Sequence, residues 1–394
     1  MAERLFLSLA LMEKRESQIA LRRDRVFNMR LRVDSLIWIF LLVLGSDSEG
    51  QAQACCDNMP SRFGSVSPVA PEGMIWIPGA TFAMGGEVAS FMKSWPMSAR
   101  SRPDERPVHS VELDGFWISR TPVTNAEFSE FIQKTGYITT AEKVPELEEI
   151  MKGLPPGAAP PAAELLVPAS MVFTPPKGSV SLRNVLQWWR WQEGANWSQP
   201  EGPGSSIANR MDHPVVQVSY YDAQAYADWK GMSLPTEAQW EYAARAGMEQ
   251  QVFVWGNEPV SEKAPRINIW QGTFPNRNTE ADGYVTTSPV TAFAPNAYGL
   301  YDMSGNVWEW VADWYHVDAY AMSKGQGVVK NPTGPAASYD PDEPYLGKRV
   351  IRGGSFLCND SYCSGYRPAA RMKTSPDTSS NHTGFRLVKN IGVE

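Results

Sequence analysis

Gly299-Leu300-Tyr301-Asp302-Met303-Ser304-Gly305-Asn306-Val307-Trp308-Glu309-Trp310 mixes glycine, short polar residues and large aromatics. Nothing in it repeats at helical spacing. The same texture runs from 248 to 394, where Gly, Asn, Asp and aromatic residues alternate with short apolar runs such as Val350-Ile351. That whole stretch gives no convincing helix signal. The chain's 31 Gly and 31 Pro extend the reading: long helices are scarce, and turns and irregular segments dominate.

Regular elements are signalled mainly upstream. Met74-Ile75-Trp76-Ile77 reads as a strand, and Val111-Glu112-Leu113 alternates as a strand does. Thr124-Asn125-Ala126-Glu127 is a capping box before Phe128, Phe131 and Ile132, and Gly136 closes the segment. Ser219-Tyr220-Tyr221-Asp222 opens a second short helix, with Tyr226 and Trp229 on its apolar face and Gly231 at its end. Pro235-Thr236-Glu237-Ala238-Gln239 opens a third, ended by Gly247. Residues 86–107 read as loop, and the Pro- and Ala-rich 145–178 reads as a long excursion. No internal repeat is found. The expectation is one large α+β domain over 73–390, with few short helices and much ordered loop.

The N-terminus reads as targeting sequence. A basic region, the apolar run from Leu36 to Leu44 and the A-x-A site Ala52-Gln53-Ala54 make residues 1–54 a signal peptide. The basic part is long, and a start at Met29 gives a more ordinary signal. An uncleaved anchor, tethering the protein to a membrane, is the rival reading, and lipid modification at Cys55 a lesser one. Either way the protein is exported, periplasmic or extracellular. Residues 55–72 read as a linker. A net charge of −7 argues against a nucleic-acid partner. Fifteen tryptophans call for a dense core or a sticky groove.

Only four cysteines occur. Cys55 and Cys56 lie at the expected cleavage point. Cys358 and Cys363 stand five positions apart after Arg352-Gly353-Gly354-Ser355. The glycines allow backbone conformations that bring neighbouring side chains close. Two adjacent thiols make a disulfide, a soft-metal site or a redox centre. Zinc is disfavoured because no second Cys or His pair lies near. Cu(I) accepts two thiolates. Spacing alone favours a structural disulfide in an exported protein. His109, His213, His316 and His382 are spread too widely for a metal cluster or a Ser/His/Asp triad.

Taken together these motifs resemble the formylglycine-generating enzymes, or sulfatase-modifying factors, over roughly residues 73–388. The likeness runs from Gly73-Met74-Ile75-Trp76-Ile77-Pro78-Gly79 through Gly194-Ala195-Asn196-Trp197, Pro200-Glu201-Gly202-Pro203-Gly204 and Leu234-Pro235-Thr236-Glu237-Ala238-Gln239-Trp240-Glu241-Tyr242. It then takes in Gly299–Trp310 and ends on Gly384-Phe385-Arg386. These are superfamily motifs and speak to fold; the cysteine segment is the specific part. The resemblance implies an irregular α+β fold, similar in part to C-type lectins. It implies oxidation of a cysteine in a Cys-x-Pro-x-Arg stretch of an unfolded or nascent sulfatase to C-alpha-formylglycine, using molecular oxygen. Cu(I) would sit between Cys358 and Cys363, and Ser355 and Tyr362 would line the site.

The resemblance also implies Ca2+ in two loop sites. One would use Asn268, Ile269, Asp282 and Tyr284, the other Asp302, Gly305, Val307 and Glu309. Trp188 and Trp189, with neighbouring Trp191, and Trp308 would wall a groove for the extended substrate; core packing is the plainer alternative. The chain lacks the additional cysteines of metazoan members and resembles the bacterial branch. A monomer is expected. The competing class is a non-catalytic binding or scaffold module of the same fold, with Cys358 and Cys363 in a disulfide.

Overall fold

Reciprocal side-chain capping starts three of the helices. Thr124 Oγ1 accepts from Glu127 N at 3.3 Å while Glu127 Oε2 accepts from Thr124 N at 2.8 Å. Ser219 and Asp222 do the same for a second helix, and Thr236 and Gln239 for a third. Each box satisfies N–H groups that a helix start leaves without partners.

The computed structural model describes residues 70–87 and 102–391. Of the targeting and linker expectations, those on 1–54 and most of 55–72 lie outside them. In chain order the elements begin β1 (Met74–Ile77), β2 (Ala80–Met84), β3 (His109–Leu113), β4 (Phe116–Ser119), α1 (Asn125–Thr135) and α2 (Leu147–Lys152). Next come β5 (Ala169–Phe173), β6 (Trp189–Glu193), α3 (Tyr220–Trp229), α4 (Glu237–Arg245), β7 (Gly272–Thr273) and β8 (Arg277–Asn278). The series ends with β9 (Trp308–Trp314), α5 (Ala319–Gly325), β10 (Val329–Lys330), β11 (Arg349–Arg352), β12 (Met372–Thr374), β13 (Thr383–Phe385) and β14 (Val388–Asn390). Few helices, small sheets and much loop make this the expected α+β architecture.

Four details correct the sequence reading. The stretch from 248 to 394 does hold one helix, α5, whose N-cap Asp318 makes no side-chain capping bond. The excursion 145–178 contains α2 and β5, and β5 pairs antiparallel with β6. Within 86–107, Pro103–Glu105 forms a 3-10 turn. Helix α4 is closed by Ala246 in the left-handed region at φ 46°, one residue before the expected Gly247.

The sheet that positions the site has the order β12-β11-β9-β13. Strand β9 pairs antiparallel with β11 and parallel with β13, so Glu309 stands between Arg352 and Gly384. Helix α4, every residue of it buried, packs against this sheet. The core between them is heavily charged. Arg386 holds Glu309 through Nε–Oε2 at 2.6 Å and Nη2–Oε1 at 2.7 Å. Glu237 joins Arg352 and Arg371, while Glu241 joins Arg352 and Arg245. Interior charge survives only when paired and hydrogen-bonded, and these pairs are.

A sulfur pair at the end of a glycine turn

Strand β11 delivers the chain into Gly353 and Gly354, both at positive φ (93° and 73°). A side chain at Gly354 would place its Cβ 2.6 Å from the Tyr366 backbone nitrogen. The turn can therefore close only with glycine there. Beyond it the backbone doubles back on itself. Asn359 N donates to Cys363 O at 2.8 Å and Cys363 N to Asn359 O at 2.7 Å. The Asn359 side chain accepts from Ser361 N at 2.8 Å and braces the tip. The loop is tied to the body where Trp270 N donates to Cys358 O at 3.0 Å and Asn359 Nδ2 to Trp270 O at 3.2 Å.

These bonds bring Cys358 Sγ and Cys363 Sγ to 3.0 Å as free thiols. The pair is asymmetric. Cys358 is buried, and burial, then the neighbouring Cys363, push its thiol well above the usual range. Cys363 is half-buried and shifts down to about 7, because the Cys358 thiol donates to it and Arg102 and Arg367 lie near. Near neutral pH Cys363 is close to its midpoint, and its ionised form is a thiolate accepting from the Cys358 thiol. Two soft sulfurs of this kind fit a soft ion of low coordination number. Among the described residues no three His, Cys, Asp or Glu side chains gather as a metal cluster.

Glycine also shapes the wall. A Cβ at Gly365 would lie 2.3 Å from the Trp308 ring and 3.1 Å from Cys358 Sγ. The Trp308 ring therefore packs closely on this backbone, and it lines with Cys363 a cavity of about 10 Å³, room for roughly one water. Arg102, Arg367, Arg371 and Glu105 complete the cavity. Arg367 grips Glu105 in a bidentate pair at 2.7 and 2.8 Å.

Ser355 is fully buried; its Oγ accepts from Leu357 N at 3.3 Å and lies 3.1 Å from His382 Nδ1. Tyr362 is half-buried, its ring stacked on Phe274 at 4.7 Å. So Cys358, Cys363, Ser355 and Tyr362 share one loop, with Trp308 behind them. The other groove tryptophans divide. Trp188 is a correction: it is 1% exposed and packed with Trp270, Phe274, Phe356 and Leu357, a core residue touching Tyr362 edge-on at 5.8 Å. Trp189 and Trp191 are half-buried.

The segments expected to hold calcium also converge. Asp282 accepts from Ile269 N (3.2 Å), Gln271 Nε2 (3.0 Å) and Tyr284 N (3.0 Å), leaving one open lone pair on Oδ1. Asn268 lies beside them, its Nδ2 donating to Thr286 O at 2.8 Å. Burial raises the Asp282 carboxyl, and it pushes Asp302 up to about 7. Asp302 Oδ2 accepts from Asn306 Nδ2 at 2.9 Å, and Gly305 and Val307 flank that asparagine. Glu309 Oε2 accepts from Arg386 Nε at 2.6 Å and from Trp240 Nε1 at 2.7 Å, and its Oε1 accepts from Arg386 Nη2 at 2.7 Å, while its charge is felt at Asp302.

Sequence reasoning missed His382, Arg102, Arg367 and Arg371. His382 lay in plain view beside Gly384-Phe385-Arg386, but as one of four scattered histidines. Arg102 fell in a segment read only as loop.

The profile of the sulfatase-modifying factor enzyme 1-like domain matches residues 63–391. A formylglycine-generating enzyme of Thermomonospora curvata is 46% identical over 316 residues, covering 80% of this chain and 92% of the relative. That of Mycobacterium tuberculosis is 44% identical over 315 residues, covering 80% and 97%. Among solved structures, PvdO from Pseudomonas aeruginosa superposes with a TM-score of 0.50 at 25% identity, over 81% of this chain and 94% of PvdO.

Proposed function

The chain belongs to the sulfatase-modifying factor enzyme 1-like family, and from that premise we propose that it oxidises a sulfatase cysteine, within Cys-x-Pro-x-Arg, to C-alpha-formylglycine with molecular oxygen. The observation that carries the reading is the pair of free sulfurs 3.0 Å apart, one of them shifted to about 7. A fold shared with non-catalytic proteins has no need of such a pair.

Cys358 and Cys363 would hold Cu(I), which when bound supplies the one-electron chemistry that lets oxygen react with thiolate. Cys363 is the accessible sulfur, so the substrate thiol approaches on its side. Arg102 and Arg367 hold the negative charge of the sulfurs there. Trp308, packed closely on Gly365, keeps bulk water from Cys358. Ser355 and Tyr362 stand on the same loop to orient the substrate segment, and the half-buried Trp189 offers it an aromatic edge. The reaction balances when the substrate thiol, one molecule of oxygen and two hydrogens give the aldehyde, hydrogen sulfide and water. The C–S bond breaks, the substrate carbon is oxidised, and two external thiols supply the two hydrogens as they join in a disulfide.

Calcium is proposed as a brace for the loops, with Asp282 and Asp302 as its carboxylates. Export is proposed from residues 1–54 and is checked by fractionating cells that express the full chain. The test of the activity is purified protein with Cu(I), oxygen, a thiol reductant and a Cys-x-Pro-x-Arg peptide. Mass spectrometry should find the thiol replaced by an aldehyde. Protein that binds copper normally yet makes no aldehyde would leave the binding-module reading in its place.

A further inference from the structure

We propose that His382 is a positioning residue: as a neutral imidazole whose Nδ1–H donates to Ser355 Oγ, it fixes the direction in which the Ser355 hydroxyl offers its own proton. The inference rests on the reading of the Cys358–Cys363 loop as a catalytic site.

Ser355 Oγ has one proton to give and two lone pairs to fill. Leu357 N–H approaches it at 3.3 Å and His382 Nδ1 at 3.1 Å. With both nitrogens donating, the lone pairs are occupied and the hydroxyl proton is the one function left free. That proton belongs to a fully buried residue whose carbonyl already holds Cys358 N at 2.9 Å. The serine backbone therefore fixes the first cysteine, and the histidine fixes the serine side chain.

His382 also acts through its main chain. Its carbonyl accepts from Trp308 N at 2.9 Å, and Trp308 is the ring lying on Gly365 beside Cys358. One residue thus anchors the indole wall and aims the hydroxyl. Trp189 meets the imidazole edge-on at 4.9 Å and sets its plane. Burial drives the ring's pKa down to about 3, so it carries no charge where the Cys363 thiolate forms. The other histidines are engaged elsewhere: His109 with Pro107 O, His213 with Thr287, His316 with Asp318 N.

The test uses the full chain and separates this role from mere packing. In 15N NMR at neutral pH, His382 should show a protonated, pyrrole-type Nδ1 whose signal moves in Ser355→Ala. With the Cys-x-Pro-x-Arg peptide, His382→Leu should lose roughly tenfold in kcat, the worth of one hydrogen bond, with KM held within about twofold. His382→Asn, which keeps an amide near the Nδ1 position, should restore most of that loss. In a Ser355→Ala background His382→Leu should cost nothing further. A bare Nδ1, an Asn variant as slow as the Leu variant, or additive losses would overturn the proposal. If wild type makes no aldehyde, the reaction itself is misassigned, and the NMR measurement still decides the hydrogen bond without it.

Discussion

Cys358 and Cys363 carry the same side chain and differ only in their surroundings. Cys358 is held under Trp308 and keeps its proton; Cys363 accepts that proton's hydrogen bond and faces Arg102 and Arg367. The thiolate is the reactive form, so alkylation rate against pH reports each sulfur. In wild type, iodoacetamide should modify Cys363 with a midpoint near pH 7, and Cys358 should resist. In Cys358→Ala the midpoint should rise, because the donor that stabilises the Cys363 thiolate is gone. Arg102→Gln should also raise it, by less, since the hydrogen bond is the larger cause. Peptide mapping after timed alkylation separates the two sites. An unmoved midpoint in both variants would mean that neither neighbour sets the thiolate.

At the scale of elements, the site depends on glycines that admit close approach. Gly365→Ala would put a methyl 2.3 Å from the Trp308 ring and 3.1 Å from Cys358 Sγ. The two backbones are held, Trp308 N by His382 O and Cys358 O by Trp270 N, so any relief must come from displaced buried side chains. Overpacking of this kind costs about 1–3 kcal/mol. Urea denaturation should show that loss, and tryptophan fluorescence should report a displaced indole. The same closeness explains what the sequence could and could not reveal. Helices α1, α3 and α4 were legible because their capping boxes are local, three residues wide. Helix α5 was not, because Asp318 makes no capping bond and the helix is held by what it packs against. Strand β5 hid in a Pro- and Ala-rich stretch, since its reason for being a strand is β6. The cysteine pair was legible in its own segment. His382 and Arg102 were not, for His382 reaches Ser355 and Arg102 reaches Cys363 from outside the loop's own segment, and Trp188 could not be told from a groove residue until its burial was known.

The whole molecule is organised around buried charge. Glu237 receives Arg371 on both oxygens and Arg352 on one, and Arg371 lines the cavity beside Cys363. Glu237→Gln leaves two interior guanidiniums short of one negative charge. Breaking a buried pair costs about 3–5 kcal/mol, so this variant should unfold at markedly lower urea. Asp302 poses the opposite problem, a carboxylate whose burial is compensated only by Asn306 and the field of Arg386. Its pKa is about 7 folded against an ordinary 3.8, so between those values the native state binds the extra proton. The sign follows: stability from this group is complete below the ordinary value and is lost as pH rises through 7. Other groups titrate in the same range, so the difference between wild type and Asp302→Asn isolates it. Without calcium, the Asn variant should gain on wild type by up to about 1.4 kcal/mol per pH unit up to neutrality. Added calcium should reverse the order, because it favours the ionised carboxylate that wild type alone can offer. Calorimetric melts of both proteins, with chelator and with calcium across that pH range, give the comparison. A gap that ignores both pH and calcium would place Asp302 in the turn alone, as a residue that caps and holds no ion.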